Sequence, residues 1–381
     1  MSTRMTQMGA RRGTRRVKTR VAIFTSNMDG GGAERAMAKL AGGIAEQGYA
    51  VDLVLSRAAG HYLDEVPDAV RIVDLDARRV LTSIPGLVRY LRKERPVAML
   101  TSMNYVNIVG IWARALARVD TRLVVNEQNA LSLEAAHSPR RRHRLMPTLI
   151  GRFYPWADRI VSVARGTADD LASTTGLPRE RIEVVHNPIV TPELKALAGA
   201  PSEHPWFRPG EPPVVLSVGR LSPQKDFGTL LHAFARVRER RPARLVILGE
   251  GPERGALESL VSELGLDEVT TLPGWVANPY PWMRHAGAYV LSSRWEGLPS
   301  VLIEALYCGV PIVATDCVSG PNEILEGGEH GLLVPVGDVE ALARGIESAL
   351  SGGVRPPARE SWRPYEQETV VRRYLDVLVG E

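Results

Sequence analysis

Cysteine is almost missing. Cys308 and Cys317 are the only two in 381 residues, which excludes a disulfide framework and suits a reducing, cytoplasmic compartment. Long apolar runs are missing as well. Uninterrupted stretches such as 123–125 and 301–303 fall far short of the roughly 20 residues a spanning helix needs. The basic N-terminus leads into only four apolar residues, 21–24, so it lacks the core of a secretory signal. No two histidines stand at metal-ligand spacing, so no metal is expected. What remains is 44% hydrophobic and 24% charged, the balance of an ordinary globular chain long enough for two domains.

Charge is unevenly spread. Residues 1–200 hold 30 Lys/Arg against 19 Asp/Glu, whereas residues 201–381 hold 17 against 24. A basic half joined to an acidic half suggests two domains with different partners. The basic half is read either as meeting an anionic surface or as scatter enlarged by the first 20 residues, which carry seven basic residues and no acid.

After a basic tail (1–19), short β-rich runs alternate with longer helical patterns. Strands are expected at 21–25, 51–55, 71–75, 97–101, 122–126 and 159–163, with helices at 33–46, 84–93 and 108–118. This alternation predicts βαβ units and a parallel sheet covered on both faces. The stretch 188–213 holds seven prolines and no apolar period, so a linker is expected over 188–212. The alternation restarts with strands at 214–218, 245–248, 288–291 and 312–314 and helices at 227–240, 256–264 and 300–307. Two Rossmann-like domains, 20–187 and 213–360, are therefore expected. A final amphipathic helix within 361–381 is placed to return to the first of them.

Ligands of open parallel sheets bind beyond the carboxyl ends of strands, so the chemistry is sought in those loops. Asp29-Gly30-Gly31-Gly32-Ala33-Glu34-Arg35 lets backbone approach a ligand and aims helix N–H groups at it. Arg35 stands where a dinucleotide fingerprint needs glycine, and 55–57 offers no acid for a ribose, which argues against a nicotinamide-dependent dehydrogenase. A tight structural turn explains this loop equally well. In the second half, Trp295-Glu296-Gly297-Leu298-Pro299-Ser300 opens a helix, with Pro299 suited to its first position. Glu304 is the single polar residue between Val301 and Leu306. A carboxylate buried there needs partners, either the two hydroxyls of a ribose or a basic neighbour. Arg220 offers a planar fork to phosphate oxygens and Lys225 a mobile point charge. Gly249-Glu250-Gly251-Pro252 is read as a flexible loop at the next strand end.

Together these segments resemble the family 4 retaining glycosyltransferases of the GT-B fold, from Arg20 to the C-terminus. The glutamates Glu296 and Glu304 have that family's spacing, and Gly309-Val310-Pro311-Ile312 and Gly331-Leu332-Leu333-Val334 extend the match. The resemblance implies an α/β fold of two Rossmann-like domains facing across a cleft. It implies a nucleotide-sugar donor in the second domain, a saccharide acceptor in the first, and no metal or cofactor. Arg220 and Lys225 match the pair gripping the donor diphosphate, Glu304 the ribose ligand, and Glu296 the carboxylate approaching the donor sugar. Gly297, Leu298 and Pro299 would place N–H groups near sugar or phosphate, and Gly31 and Gly32 would close over the diphosphate. Glu250 and the peptide at Trp275-Val276 complete the expected donor site. UDP-sugars are favoured over GDP-sugars, with transfer of a hexose or N-acetylhexosamine.

One position departs from the family. Gln128 stands where a histidine is expected at the end of strand 122–126. It can hydrogen-bond but not titrate, and His137 is the candidate to replace it. A solvated loop residue is the plainer reading of His137, and of His186 too. Arg140, Arg141, Arg142 and Arg144 beside Phe153-Tyr154-Pro155-Trp156 suit an anionic bilayer, and with it a lipid-linked acceptor. A solvated basic loop is the alternative. Competing functions are a GT-B-fold epimerase, which would need no acceptor, and a non-catalytic nucleotide-sugar sensor, suggested by Gln128 alone. Nucleic acid is not expected as a partner, because no recognisable module carries the basic residues.

Overall fold

In the computed structural model, residues 19–29, 31–60, 62–133, 145–202 and 204–380 are described. The first domain runs β1 (Arg20–Thr25), α1 (Gly32–Glu46), β2 (Ala50–Leu55), β3 (Val70–Asp74), α2 (Ile84–Glu94) and β4 (Ala98–Ser102). It continues with α3 (Asn104–Ala117), β5 (Arg122–Glu127), α4 (Met146–Phe153), β6 (Arg159–Ser162), α5 (Arg165–Thr175) and β7 (Ile182–Val184). All seven strands are parallel, in the order β3-β2-β1-β4-β5-β6-β7. Helices cover both faces of such a sheet, so its central strands carry unbroken apolar runs. Val21 to Phe24 and Leu123 to Val125 are fully buried.

After the short helix α6 (Pro192–Leu197), the second domain repeats the plan. It runs β8 (Val214–Val218), α7 (Phe227–Arg240), β9 (Arg244–Leu248), α8 (Arg254–Glu263), β10 (Thr270–Gly274) and α9 (Tyr280–His285). Then come β11 (Ala288–Leu291), α10 (Ser300–Cys308), β12 (Ile312–Thr315), α11 (Pro321–Ile324), β13 (Leu332–Val334), α12 (Val339–Leu350) and α13 (Gln367–Val379). Its sheet order is β10-β9-β8-β11-β12-β13. In each sheet the winding reverses once, between β1 and β4 and between β8 and β11, and ligand crevices open at such reversals. The loops after these four strands are those that carry Gly31, Met103, Lys225 and Glu296.

The segment 188–212 is more ordered than its prolines suggest. Ile189, Val190 and Leu194 are buried, and the Thr191 hydroxyl caps α6 by accepting the Leu194 N–H at 3.1 Å. Here proline opens the helix, where its missing N–H costs nothing. Val190 forms an isolated parallel bridge with Glu366, leading into α13. That helix lies on the first domain. Tyr374 accepts from the Asn126 amide at 2.9 Å, and Gln367 donates to the Lys39 carbonyl at 2.8 Å.

One buried charge cluster in this domain is structural. Asp52, on β2, is 0% exposed. It accepts from Arg71, Arg20 and the Tyr90 hydroxyl at 2.6 to 2.9 Å. Burial alone would raise its pKa, but these three donors outweigh burial and hold the carboxyl below its usual range.

Candidate active site

The second domain's half of the cleft is built on backbone packed against backbone. The loop after β9 is pinned rather than flexible. Leu221 N–H donates to the Glu250 carbonyl at 2.9 Å and Gly249 N–H to the Gly274 carbonyl at 2.8 Å. A Cβ on Gly249 would fall 1.9 Å from the Gly219 carbonyl, and one on Gly251 would fall 2.2 Å from that of Leu221. These two glycines let the loops after β8 and β9 lie in contact. Glu250 itself ion-pairs with Arg254 at 2.7 Å, which lowers its pKa. It reaches none of Arg220, Lys225, Glu296 or Glu304 in the described contacts.

Lys225 and Glu296 meet. The Lys225 ammonium lies 2.5 Å from Glu296 Oε1, and the Ser293 hydroxyl donates to the same oxygen at 2.6 Å. Glu296 is buried and Lys225 nearly so, which makes this a desolvated pair in the cleft. Arg220 is exposed and has no ion-pair partner among the described residues. Its guanidinium is available to a ligand.

The helix α10 begins at Ser300 as expected, but Pro299 precedes it as the cap, with extended backbone, and is not its first residue. The proline clears the last non-helical position, leaving the N–H groups of the first turn without intrahelical acceptors. Glu304 sits one turn further along and is 6% exposed. It receives a single hydrogen bond among the described residues, from the Tyr280 hydroxyl at 3.5 Å. No cation comes within 4 Å of it there, so neither a salt bridge nor exposure accounts for its charge. Val276 packs partly buried on the second domain's core, beside Trp275, which is 68% exposed.

The first domain closes on this surface. A Cβ on Gly297 would stand 2.1 Å from the Gln128 carbonyl, so only glycine permits this approach. The Gln128 side chain is turned to Asn187, with Asn187 Nδ2 donating to its Oε1 at 2.7 Å and Gln128 Nε2 donating back at 3.4 Å. Asn187 escaped the sequence reading; its one signal was the Asn-Pro step that ends the first domain. Across the cleft, a Cβ on Gly32 would be 3.5 Å from the Ser300 hydroxyl, so the start of α1 faces the start of α10. The Glu34 carboxylate folds back over that start. Burial raises its pKa, while the N–H groups of Glu34 and Gly31 oppose the rise.

A second contact joins the domains at α5. Glu323, on α11, accepts the Arg165 backbone N–H at 2.6 Å. His186 Nε2 lies 3.8 Å from Glu323. His186 is not a solvated loop residue. Its side chain is 12% exposed, and its Nδ1 lies 2.8 Å from the Val163 carbonyl. His137, Arg140, Arg141, Arg142 and Arg144 lie outside the described residues. Among the described residues that follow them in the chain, Leu145 and Trp156 are 63% and 46% exposed, and the Arg152 guanidinium lies over the rings of Phe153 and Trp156. Among the described residues no cluster of three His, Cys, Asp or Glu side chains is placed to hold a metal, and no helix is long and apolar enough to cross a membrane.

Known proteins resemble this chain in sequence and fold. Residues 30–192 match the model of "Glycosyltransferase Family 4" and residues 202–369 that of "Glycosyl transferases group 1". A Campylobacter jejuni N-acetylgalactosamine-N,N'-diacetylbacillosaminyl-diphospho-undecaprenol 4-alpha-N-acetylgalactosaminyltransferase is 29% identical over 380 residues, covering 95% of this chain and all of that one. The lipopolysaccharide core biosynthesis glycosyltransferase LpsE of Rhizobium meliloti is 29% identical over 92% of this chain and 96% of its own. Among solved structures, the galactosyltransferase WaaB superposes with a TM-score of 0.71 at 18% identity, over 95% of this chain and 99% of its own. Anabaena HepE with UDP-glucose superposes with 0.75 at 19%, over 95% of this chain and all of that one.

Proposed function

The chain belongs to the family 4, group 1 glycosyltransferases and has the GT-B fold, and from that premise we propose that it transfers a hexose or N-acetylhexosamine from a UDP-sugar, with a GDP-sugar as second choice, to a lipid-linked saccharide in cell-surface glycan synthesis. The observation that carries the reading is Glu304, a buried carboxylate with one long hydrogen bond, one turn inside a helix whose free N–H groups face the cleft. Two adjacent ribose hydroxyls supply the donors its oxygens lack. The diphosphate then lies at the helix start, where the dipole and free N–H groups favour an anion.

Lys225 and Arg220 receive the diphosphate. Lys225 exchanges part of its pairing with Glu296 for a phosphate oxygen, and Glu296 turns towards the sugar. The bond between the anomeric carbon and the diphosphate breaks while the acceptor oxygen bonds the same carbon from the same face. The departing phosphate takes the acceptor's proton, so configuration is retained without a separate base. This agrees with Gln128, which cannot titrate, at the position nearest Gly297. Charge develops on the leaving group, and Lys225, Arg220 and the α10 N–H groups stabilise it electrostatically. No metal is required in this scheme.

The acceptor is drawn from a membrane. Exposed Leu145 and Trp156 with Arg152, and in sequence the arginines Arg140, Arg141, Arg142 and Arg144, fit the inner face of an anionic bilayer, where each basic residue contributes on the order of 1 kcal/mol. A relative whose name specifies a diphospho-undecaprenol-linked acceptor, and another named for lipopolysaccharide core biosynthesis, support the same class. The test is nucleotide release from UDP-sugars and GDP-sugars in EDTA, with and without membrane extract. Acceptor-dependent release with the anomeric configuration kept is expected. Turnover of the donor alone to a new sugar would mean an epimerase, and inverted product would overturn the mechanism.

A further inference from the structure

Two cations on α1 are used by nothing described so far. Arg35 and Lys39 stand four residues apart and so share one face of the helix. That helix starts opposite the start of α10, at Gly32 and Ser300. Arg35 is held in place from its own domain. Its Nε donates to Glu65 at 2.7 Å, and the Tyr62 ring lies 5.7 Å from the guanidinium. From there it acts across the cleft. Burial disfavours its charge, yet Glu65, Tyr280 and Glu304 hold it protonated more firmly than usual. Burial and Glu304 push the Tyr280 phenol up, and Arg35 opposes them by charge and hydrogen bonding.

Lys39 is less well served. It is half-buried, has no ion pair among the described residues, and donates one long bond, to the Ile189 carbonyl at 3.3 Å. Burial lowers its pKa and Glu304 works against that. Glu304, whose charge reaches Lys39, is equally short of partners. Buried charges of opposite sign that act on each other without touching are expensive. They are satisfied together by a ligand presenting hydroxyl donors to one side and anionic oxygens to the other, and a nucleoside diphosphate has both.

We propose that Arg35 and Lys39 are the first domain's half of the donor pocket, gripping the ribose-phosphate part of a nucleoside diphosphate whose ribose is held by Glu304. The proposal rests on the donor reading above and adds a specific function for the arginine that ends the glycine-rich loop. It also gives domain closure a cause, because the ligand's phosphates neutralise cations on one domain while its ribose hydroxyls hydrogen-bond the carboxylate on the other.

UDP binding by calorimetry tests it on the intact chain, comparing wild type with Arg35→Gln, Lys39→Met and, as a control for net charge, Arg236→Gln on the exposed surface of α7. Both α1 variants should bind UDP at least about tenfold more weakly, equivalent to about 1.4 kcal/mol, while Arg236→Gln should match wild type. Lys39→Met breaks no ion pair, so it keeps the question answerable if Arg35→Gln folds poorly. UDP affinity unchanged in both α1 variants overturns the proposal. So does a lowered unfolding midpoint with unchanged affinity, which would make the cations charge balance for Glu304 alone. A wild-type chain that binds none of UDP, GDP or ADP overturns the donor reading itself.

Discussion

Replacing Lys225 by methionine removes an ammonium and leaves a carboxylate behind. Glu296 is 7% exposed at its side chain and Lys225 is 15% exposed, so water does little to screen the pair. Breaking one side of a buried ion pair costs about 3–5 kcal/mol, because the remaining charge is uncompensated. The Ser293 hydroxyl, at 2.6 Å, offsets part of this, which places the expected loss near 3 kcal/mol. Turnover should fall further, by ~10²–10³, since the proposed scheme also sets this cation against the departing diphosphate. Adding Glu296→Gln separates the two effects. The double variant K225M/E296Q should recover most of the lost stability in a denaturant melt, because no lone charge stays buried. Its single-turnover rate should remain as low as that of Lys225→Met. A double variant that regains turnover would refute the reasoning, since Lys225 would then matter only as the partner of Glu296.

Glu304→Gln should weaken donor binding by about tenfold, the loss of a charge-assisted hydrogen bond, while slowing single turnover less than Lys225→Ala does. Gly297→Ala should cut turnover sharply with an unchanged unfolding midpoint, because its methyl meets the Gln128 carbonyl of the other domain and not its own core; melting curves and rates decide. Asp52→Asn should destabilise the first domain by about 2 kcal/mol, less than a fully buried pair costs because Arg20 and Arg71 are partly exposed. Asp52 has a depressed folded pKa, so its contribution is complete above the unfolded value near 3.8 and disappears as pH falls through the folded one. Wild type should therefore lose stability in that acid window more steeply than Asp52→Asn, as read by melts from pH 5 to pH 2.

Much of the architecture is legible in the sequence because both sheets are parallel and covered on two faces. Val214–Val218, Phe227–Arg240 and Ala288–Leu291 stand in the structure as their apolar patterns predict. The elements that escape are those in which that signal fails. Strands β7 and β13 have three residues each, and β10 carries two threonines and Pro273. Proline in 188–212 signals breaks, yet Pro192 opens a helix. In the site, the eight-residue spacing from the loop at Glu296 into the helix at Glu304 brings both glutamates to attention. What depends on two domains meeting has no local signature. The approach of Gly297 to the Gln128 carbonyl and the Arg165–Glu323 contact join the two domains, and the Gln128–Asn187 pair joins distant parts of the first. The Lys225–Glu296 pair, 71 residues apart, was legible as two separate functions and not as one contact.

The central claim is a nucleotide site on the second domain that works without metal, and a thermal-shift titration with UDP, GDP and ADP, each in EDTA and in magnesium, tests it most directly. Stabilisation follows RT ln(1 + [L]/Kd), about 2.7 kcal/mol at 100 Kd. The account predicts a rise in the unfolding midpoint with UDP, equal with and without magnesium, with the stabilisation reduced to about 1.4 kcal/mol by Glu304→Gln at the same UDP concentration. A response only in magnesium, or none to any nucleotide, would contradict it.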